Sequence, residues 1–305
     1  MTEIPLELQP RFVQAHYLNI VNGAISSIGV VFNIFSFITC RNLDAKHKTS
    51  FTAIMQILAF WDGLSCANLG IRTGILRPMG IHIQHKNDVL CRGTWFLFTV
   101  VFRESIFFVV LLTCERVFSI KFPVLYKKYA NIKNVYKTGL LLSLFIFATS
   151  LPHLYYMRWN DGICKVENDL PYYDMYYIGS HYILSFVVPA VIVLLGNIII
   201  IKALLQWSKR RSSTGLEFRV ASLLLAISFT FLTLLFGSSL ISVYSANYKA
   251  DTTERLATLY LLYAVHNNLC FINNSVNFIF YIISTKSFRE TFIKTITCRI
   301  YKKCS

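Results

Sequence analysis

Residues 91–116 read CRGTWFLFTVVFRESIFFVVLLTCER, from Cys91 to Arg116. Most of the stretch is apolar, with one charged pair, Arg103-Glu104, inside it and Glu115-Arg116 at its end. As a helix rising 1.5 Å per residue it carries the chain roughly 37 Å, slightly more than the ~30 Å hydrocarbon core of a bilayer. Cys91 then falls at one membrane surface and Arg116 at the other. At about 100° per residue, Cys91, Phe98, Ser105, Leu112 and Arg116 share one stripe. Arg103 and Glu104 lie about 120° and 140° from it, on opposite sides, so each needs a partner on another helix.

The rest of the chain has the same character. Of 305 residues, 55% are hydrophobic and only 15% charged, against about 25% charged in soluble domains. Mean hydropathy is +0.51. The 15% aromatic content suits rings placed at bilayer interfaces, and Trp159 and Trp207 fall near span ends. A net charge of +15 reads as basic membrane loops, not as a nucleic-acid surface. The eight cysteines have no C-x-x-C spacing, which argues against a zinc or redox pair. No G-x-S-x-G, P-loop or H-E-x-x-H pattern occurs, so no enzyme activity is expected. The stretch MTEIPLELQPRFVQAH lacks the apolar core of a cleaved signal peptide.

Seven apolar stretches are long enough to span a bilayer: residues 17–40, 51–74, 90–118, 136–157, 175–205, 217–246 and 256–284. They form one domain over residues 1–305, an all-α membrane protein with a seven-helix bundle. Residues 286–299 place Phe288, Phe292, Ile293 and Ile296 at helical spacing among cations, an amphipathic eighth helix on the membrane surface. One set of connections, with the C-terminal tail, holds nineteen Lys and Arg; the other, with the N-terminus, holds nine. By the positive-inside rule the C-terminus is cytoplasmic and the N-terminus extracellular.

Several motifs stand in order along these spans. Gly29 and Asn33 lie in the first, and Leu58-Ala59-Phe60-Trp61-Asp62 in the second. Cys91 and Glu115-Arg116-Val117 bracket the third, and Cys164 follows the fourth. Pro189 lies in the fifth. The seventh reads Asn273-Asn274-Ser275-Val276-Asn277-Phe278-Ile279-Phe280-Tyr281, followed by Phe288-Arg289. In order and spacing these resemble the rhodopsin-like (class A) G-protein-coupled receptors. The Asn-Phe-x-x-Tyr form, Phe278 replacing the usual proline, looks most like invertebrate neuropeptide receptors of the FMRFamide type. The chain departs from that pattern in three places. The fourth span has no central tryptophan. Leu235, Phe236 and Gly237 stand where Cys-Trp-x-Pro is usual, and Asn197 stands for a tyrosine.

The resemblance implies roles for particular residues. Cys91 and Cys164 would form a disulfide outside the cell. Glu115 and Arg116, with Asn277 and Tyr281, would carry activation and G-protein coupling. Asp62, a carboxylate in an apolar helix, would join Asn33, Ser105, Asn273 and Asn277 around a sodium ion, or, without the ion, form a hydrogen-bonded polar core. Phe98 stands where amine receptors keep an aspartate, which disfavours a monoamine ligand. Arg103 reads as structural, with ligand contact as the alternative.

Residues outside these motifs carry their own expectations. Cys40, Cys66, Cys114 and Cys270 read as buried free thiols, and Cys298 and Cys304 as palmitoylation candidates. The loop after the fourth span holds Asp161, Glu167, Asp169 and Asp174 against Arg158 and Lys165, a net of −2. Glu167 and Asp169 would there steer a basic ligand. The expected activity is that of a receptor turning an extracellular short peptide into activation of a heterotrimeric G protein, its partners being that ligand, the G protein and the bilayer. A chemosensory receptor for small molecules is the runner-up, and a transporter or channel the rival from another class. A retinal pigment is excluded, because residues 256–284 contain no lysine for a Schiff base.

Overall fold

The computed structural model describes residues 5–44, 47–167, 170–210, 215–247 and 251–301. Its long helices are α1 (Pro10–Asn42), α2 (Ser50–Gly70), α3 (Asp88–Lys121), α5 (Ile132–Ser150), α8 (Val188–Arg210), α9 (Gly215–Asn247) and α10 (Thr253–Ser284). Shorter ones are α4 (Pro123–Tyr129), α6 (Pro152–Tyr156), α7 (Tyr173–Tyr176) and, after α10, α11 (Lys286–Tyr301). Two strands, β1 (Met157–Asn160) and β2 (Ile163–Val166), pair antiparallel between α6 and α7. Helix starts carry side-chain caps where the chain must turn sharply. Thr49 and Thr52 form a reciprocal capping box at α2, Asn87 caps α3 through the Leu90 amide, and Thr252 caps α10, each satisfying amides that the first turn leaves open.

Among the described residues, six helical stretches are long and apolar enough to cross a membrane: Pro10–Asn42, Ser50–Leu76, Asp88–Lys121, Ile132–Tyr156, Ile178–Gln206 and Ser222–Ile241. The seventh helix of the bundle, α10, is 32 residues long but rich in asparagine. Its Asn267, Asn274 and Asn277 are buried, so α10 hides its polar groups among its neighbours α1, α9 and α2. The apolar faces point the other way. Leu140, Leu141, Leu144, Phe145 and Phe147 of α5 and Val191, Leu194, Leu195 and Ile198 of α8 are exposed, as lipid-facing side chains should be. The core runs along α3 through Ile106, Phe108, Val109 and Leu112, against Leu58, Phe231, Phe278 and Tyr281.

The observed elements differ from the expected spans in specific ways. The first helix begins seven residues earlier than expected, at Pro10, because proline's fixed φ and missing N–H suit a first helical position. The fourth span breaks at Leu151, where Pro152 opens the separate α6. The loop beyond it forms a hairpin, which the span reading did not include. Its turn is Asp161-Gly162, with φ of 50° and 78°, the paired positive values that a two-residue hairpin turn needs and that Asp-Gly supplies. Cys114, expected to be buried, is exposed, because it lies on the face of α3 turned away from the core. The helix over 286–301 extends the expected 286–299.

One close contact fixes how α1 meets α2. Beyond Gly70, α2 continues through a π-helical stretch, Ile71–Leu76, and there Gly74 meets Gly23 of α1. A Cβ on Gly74 would lie 2.3 Å from the Gly23 Cα, too close for any side chain. Replacing Gly74 by valine is therefore expected to lower stability by about 1–3 kcal/mol, read as a drop in melting temperature of the purified protein in detergent. Gly93→Ala, where an added Cβ meets nothing within 4 Å, should leave stability unchanged or raise it.

Candidate functional site

At one end of the bundle the hairpin lies over the start of α3. Cys164 of β2, opposite Trp159 in the ladder, is disulfide-bonded to Cys91, with Cα atoms 5.4 Å apart. Further bonds hold the same place. Trp159 Nε1 donates to the His85 carbonyl at 2.6 Å, and the Cys164 amide donates to His85 Nδ1 at 2.7 Å. Asp88 pairs with Arg92 at 2.6 Å and accepts from the Trp159 amide at 3.3 Å. Glu167 accepts from Asn160 at 3.4 Å. Asp169 and Cys304 lie outside the described residues, as does the side chain of Cys298.

In the middle, Asp62 is buried between helices. Its Oδ1 accepts from Ser105 of α3 at 2.5 Å and its Oδ2 from Asn277 of α10 at 2.8 Å. Asn274, not singled out from the sequence, is the other centre of this network. Its Oδ1 lies 3.4 Å from Ser105 Oγ, its Nδ2 donates to Ser65 at 3.0 Å, and its backbone carbonyl accepts from Asn33 at 2.9 Å. Asn273, expected beside Asp62, reaches the Asn274 side chain at 3.4 Å and, among the described residues, makes no bond to Asp62. Helix phase alone could not have separated the two asparagines, since Asn273 and Asn274 lie four and three residues from Asn277 and both spacings share its face. The oxygens brought together are a carboxylate, a hydroxyl and an amide carbonyl, a hard donor set of the kind that suits a hard cation.

At the opposite end Glu115 and Arg116 form an ion pair, Oε2 to Nε 3.0 Å, whose angles are not those of a hydrogen bond. The other Glu115 oxygen accepts from Ser50 and from Tyr126, both at 2.6 Å. Burial, then the Glu115 carboxylate, raise the Tyr126 phenol, which keeps it a donor. The Arg116 guanidinium lies 3.9 Å from the centre of the Phe51 ring. Tyr281 is buried, and among the described residues its hydroxyl has no partner. Phe278 packs on Phe32 of α1 at 5.0 Å and on Phe292 of α11 at 5.1 Å. Where the proline is replaced, a ring thus ties α10 to its neighbours.

The two mid-helix charges part company. Arg103 is wholly buried and donates to Ser185, Ser150 and the Thr149 carbonyl at 3.0–3.1 Å, and to Ser180. Glu104, also buried, faces Ser143 of α5. His266 meets Ser238 at 2.9 Å. Phe98 stacks on Phe102 at 5.7 Å and stands edge-on to Trp95 at 5.9 Å.

His85 makes the hairpin contact pH-dependent. To accept from the Cys164 amide, its Nδ1 must be unprotonated. Burial, then His82 and Arg77, hold His85 below its ordinary 6.5. With the folded pKa lowered, the unfolded chain binds more protons below that value, so this contribution is present above pH 6.5 and is lost as pH falls through the folded pKa. Hydrogen exchange at the Cys164 amide is expected to quicken between neutral pH and pH ~5, after correction for intrinsic rates, and His85→Ala should remove that dependence.

The family model described as 7 transmembrane receptor (rhodopsin family) matches residues 30–281. A comparison with curated proteins found no match. A bundle of apolar helices with a disulfide at one end and a Glu-Arg pair at the other accords with that match, and the chain belongs to the rhodopsin family of seven-transmembrane receptors.

Proposed function

We propose that this receptor binds an extracellular ligand, a short peptide of the neuropeptide class, and activates a heterotrimeric G protein, without enzymatic activity of its own. The observation that carries the reading is the Glu115–Arg116 pair, held by Ser50 and Tyr126 at the end of α3 opposite the disulfide. The charge count supports the orientation: nineteen Lys and Arg gather on the Arg116 side and nine on the hairpin side, so the hairpin faces outward and the C-terminus faces the cytoplasm. In the resting state Glu115 neutralises Arg116. Release of that pair frees the guanidinium for the G protein, and a ligand that binds the released arrangement better shifts the population toward it. The hairpin, covalently fixed to α3, forms a roof over the outer end of the bundle. Phe98, Phe102 and Trp95 offer aromatic contacts beneath it, which suits a peptide with aromatic side chains. Glu167, next to the hairpin, would draw in a basic group.

Nucleotide exchange in reconstituted receptor and G protein tests this. Arg116→Ala is expected to abolish ligand-stimulated exchange while surface expression persists. Unchanged exchange would contradict the role given to Arg116.

Asp62, Ser105, Asn274 and Asn277 are proposed as the surroundings of a sodium ion. Asp62 would supply the charge and the hydroxyl and amide oxygens the remaining coordination. Ion and agonist would favour different helix arrangements, so sodium should weaken agonist binding and Asp62→Asn should remove the effect. Agonist affinity independent of sodium in the unaltered receptor would leave the cluster a structural network only.

A further inference from the structure

Among the described residues, two arginines near the outer end of the bundle have no counterion. Arg72 lies in the π-helical stretch beyond α2 and Arg77 just after it, joined by the wide-turn bond from the Arg77 amide to the Arg72 carbonyl at 3.1 Å. The Arg72 guanidinium lies 5.5 Å from the Trp95 ring centre and 5.6 Å from that of Phe98, both on α3. Arg77 lies 5.0 Å from the Tyr260 ring of α10. Among the described residues no carboxylate comes within ion-pair distance of either. Four described acids of this end are engaged elsewhere: Asp88 with Arg92, Glu254 with Arg11, Asp251 with Arg255 and Glu167 with Asn160. Among the described residues, two buried donors of this site, Arg72 Nε and Trp95 Nε1, have no acceptor. A cation in an apolar helix is costly unless paired, and a buried N–H without an acceptor adds to the cost. Both orphans are donors, so what they lack is an acceptor, and beside two arginines that acceptor is an anion.

We propose that the site between α2, α3 and α10 takes a carboxylate of the ligand on Arg72 and Trp95, with Arg77 beside it, and that the group next to the carboxylate packs on Phe98 and Tyr260. The proposal rests on the receptor reading and narrows it: the ligand is an aromatic acid, or a peptide presenting a free carboxylate, not an uncharged amide. It is compatible with the role given to Glu167, since a zwitterionic peptide offers its cation to Glu167 and its carboxylate to Arg72.

Direct binding tests this without a G protein. Purified receptor is titrated with N-acetylphenylalanine and, separately, with N-acetylphenylalaninamide, which differs only in the anion, and melting temperature is followed. The acid is expected to stabilise the receptor and the amide to do so at least tenfold more weakly, a loss in line with one charged hydrogen bond. Arg72→Gln should bring the acid down to the level of the amide. Should that variant fold poorly, Trp95→Phe keeps the ring and removes one donor, and should weaken the acid several-fold without affecting the amide. Arg255→Gln, at an exposed arginine paired with Asp251, should change neither. Equal stabilisation by acid and amide, none by either, or an acid effect that survives both Arg72→Gln and Trp95→Phe would overturn the proposal. Nucleotide exchange is measured separately, so a receptor that binds the acid but drives no exchange would sink the signalling reading and leave the carboxylate site standing.

Discussion

A carboxylate inside an apolar helix has to find its donors on other helices, and this bundle is built around that requirement. Lipid offers Asp62 nothing, so its two oxygens take hydrogen bonds from Ser105 on α3 and Asn277 on α10. Those bonds fix the rotation of three helices at once. Asn274 extends the constraint to Ser65 on α2 and to Asn33 on α1. The hydrophobic effect does not sort helices from lipid tails, whereas a small set of polar bonds and close glycine contacts does. Gly23 against Gly74 is the close contact, and Asp62 supplies the polar bonds.

The same principle places the far side of the bundle. Arg103 joins α3 to Thr149 and Ser150 of α5 and to Ser180 and Ser185 of the π-helical Tyr177–Val187 stretch before α8. Ser105, bonded to Asp62, and Arg103 leave α3 in different directions, so α3 is clamped on two faces. The Cys91–Cys164 disulfide holds one end of that helix. The other end carries Glu115 and Arg116, tied through Ser50 to α2 and through Tyr126 to α4. Those last contacts lie at the margin of the bundle, where side chains can exchange partners with least repacking.

Much of this was legible in the sequence. Length and hydropathy gave the spans, and helix phase predicted that Phe98, Ser105, Leu112 and Arg116 share a stripe. Ser105 and Leu112 are indeed buried. The missed features depended on contacts between distant segments or on a local cue passed over. Asn274 instead of Asn273 is a matter of which face of α10 meets Asp62. Cys114 is exposed because α3 turns that face outward. The hairpin carried a readable cue in Asp161-Gly162, but a survey of apolar spans does not look for strands. The orphaned donors of Arg72 and Trp95 could not be foreseen, since they arise only when α2 and α3 are placed side by side.

The contrast between two arginines shows how an unpaired charge can be assigned a role. Arg103 has no carboxylate partner either, yet it is surrounded by serine hydroxyls and backbone carbonyls that accept from all three of its nitrogens. Its hydrogen-bonding capacity is spent on neighbouring helices, so removing it would loosen the bundle. Arg72 lies against rings that attract a cation but accept no strong hydrogen bond, and its Nε is unmatched. The first arginine is thus satisfied by the fold, and the second is satisfied only by something the fold does not contain. Satisfaction of donors, more than burial or charge, separates the residue that holds the helices together from the one that awaits a ligand.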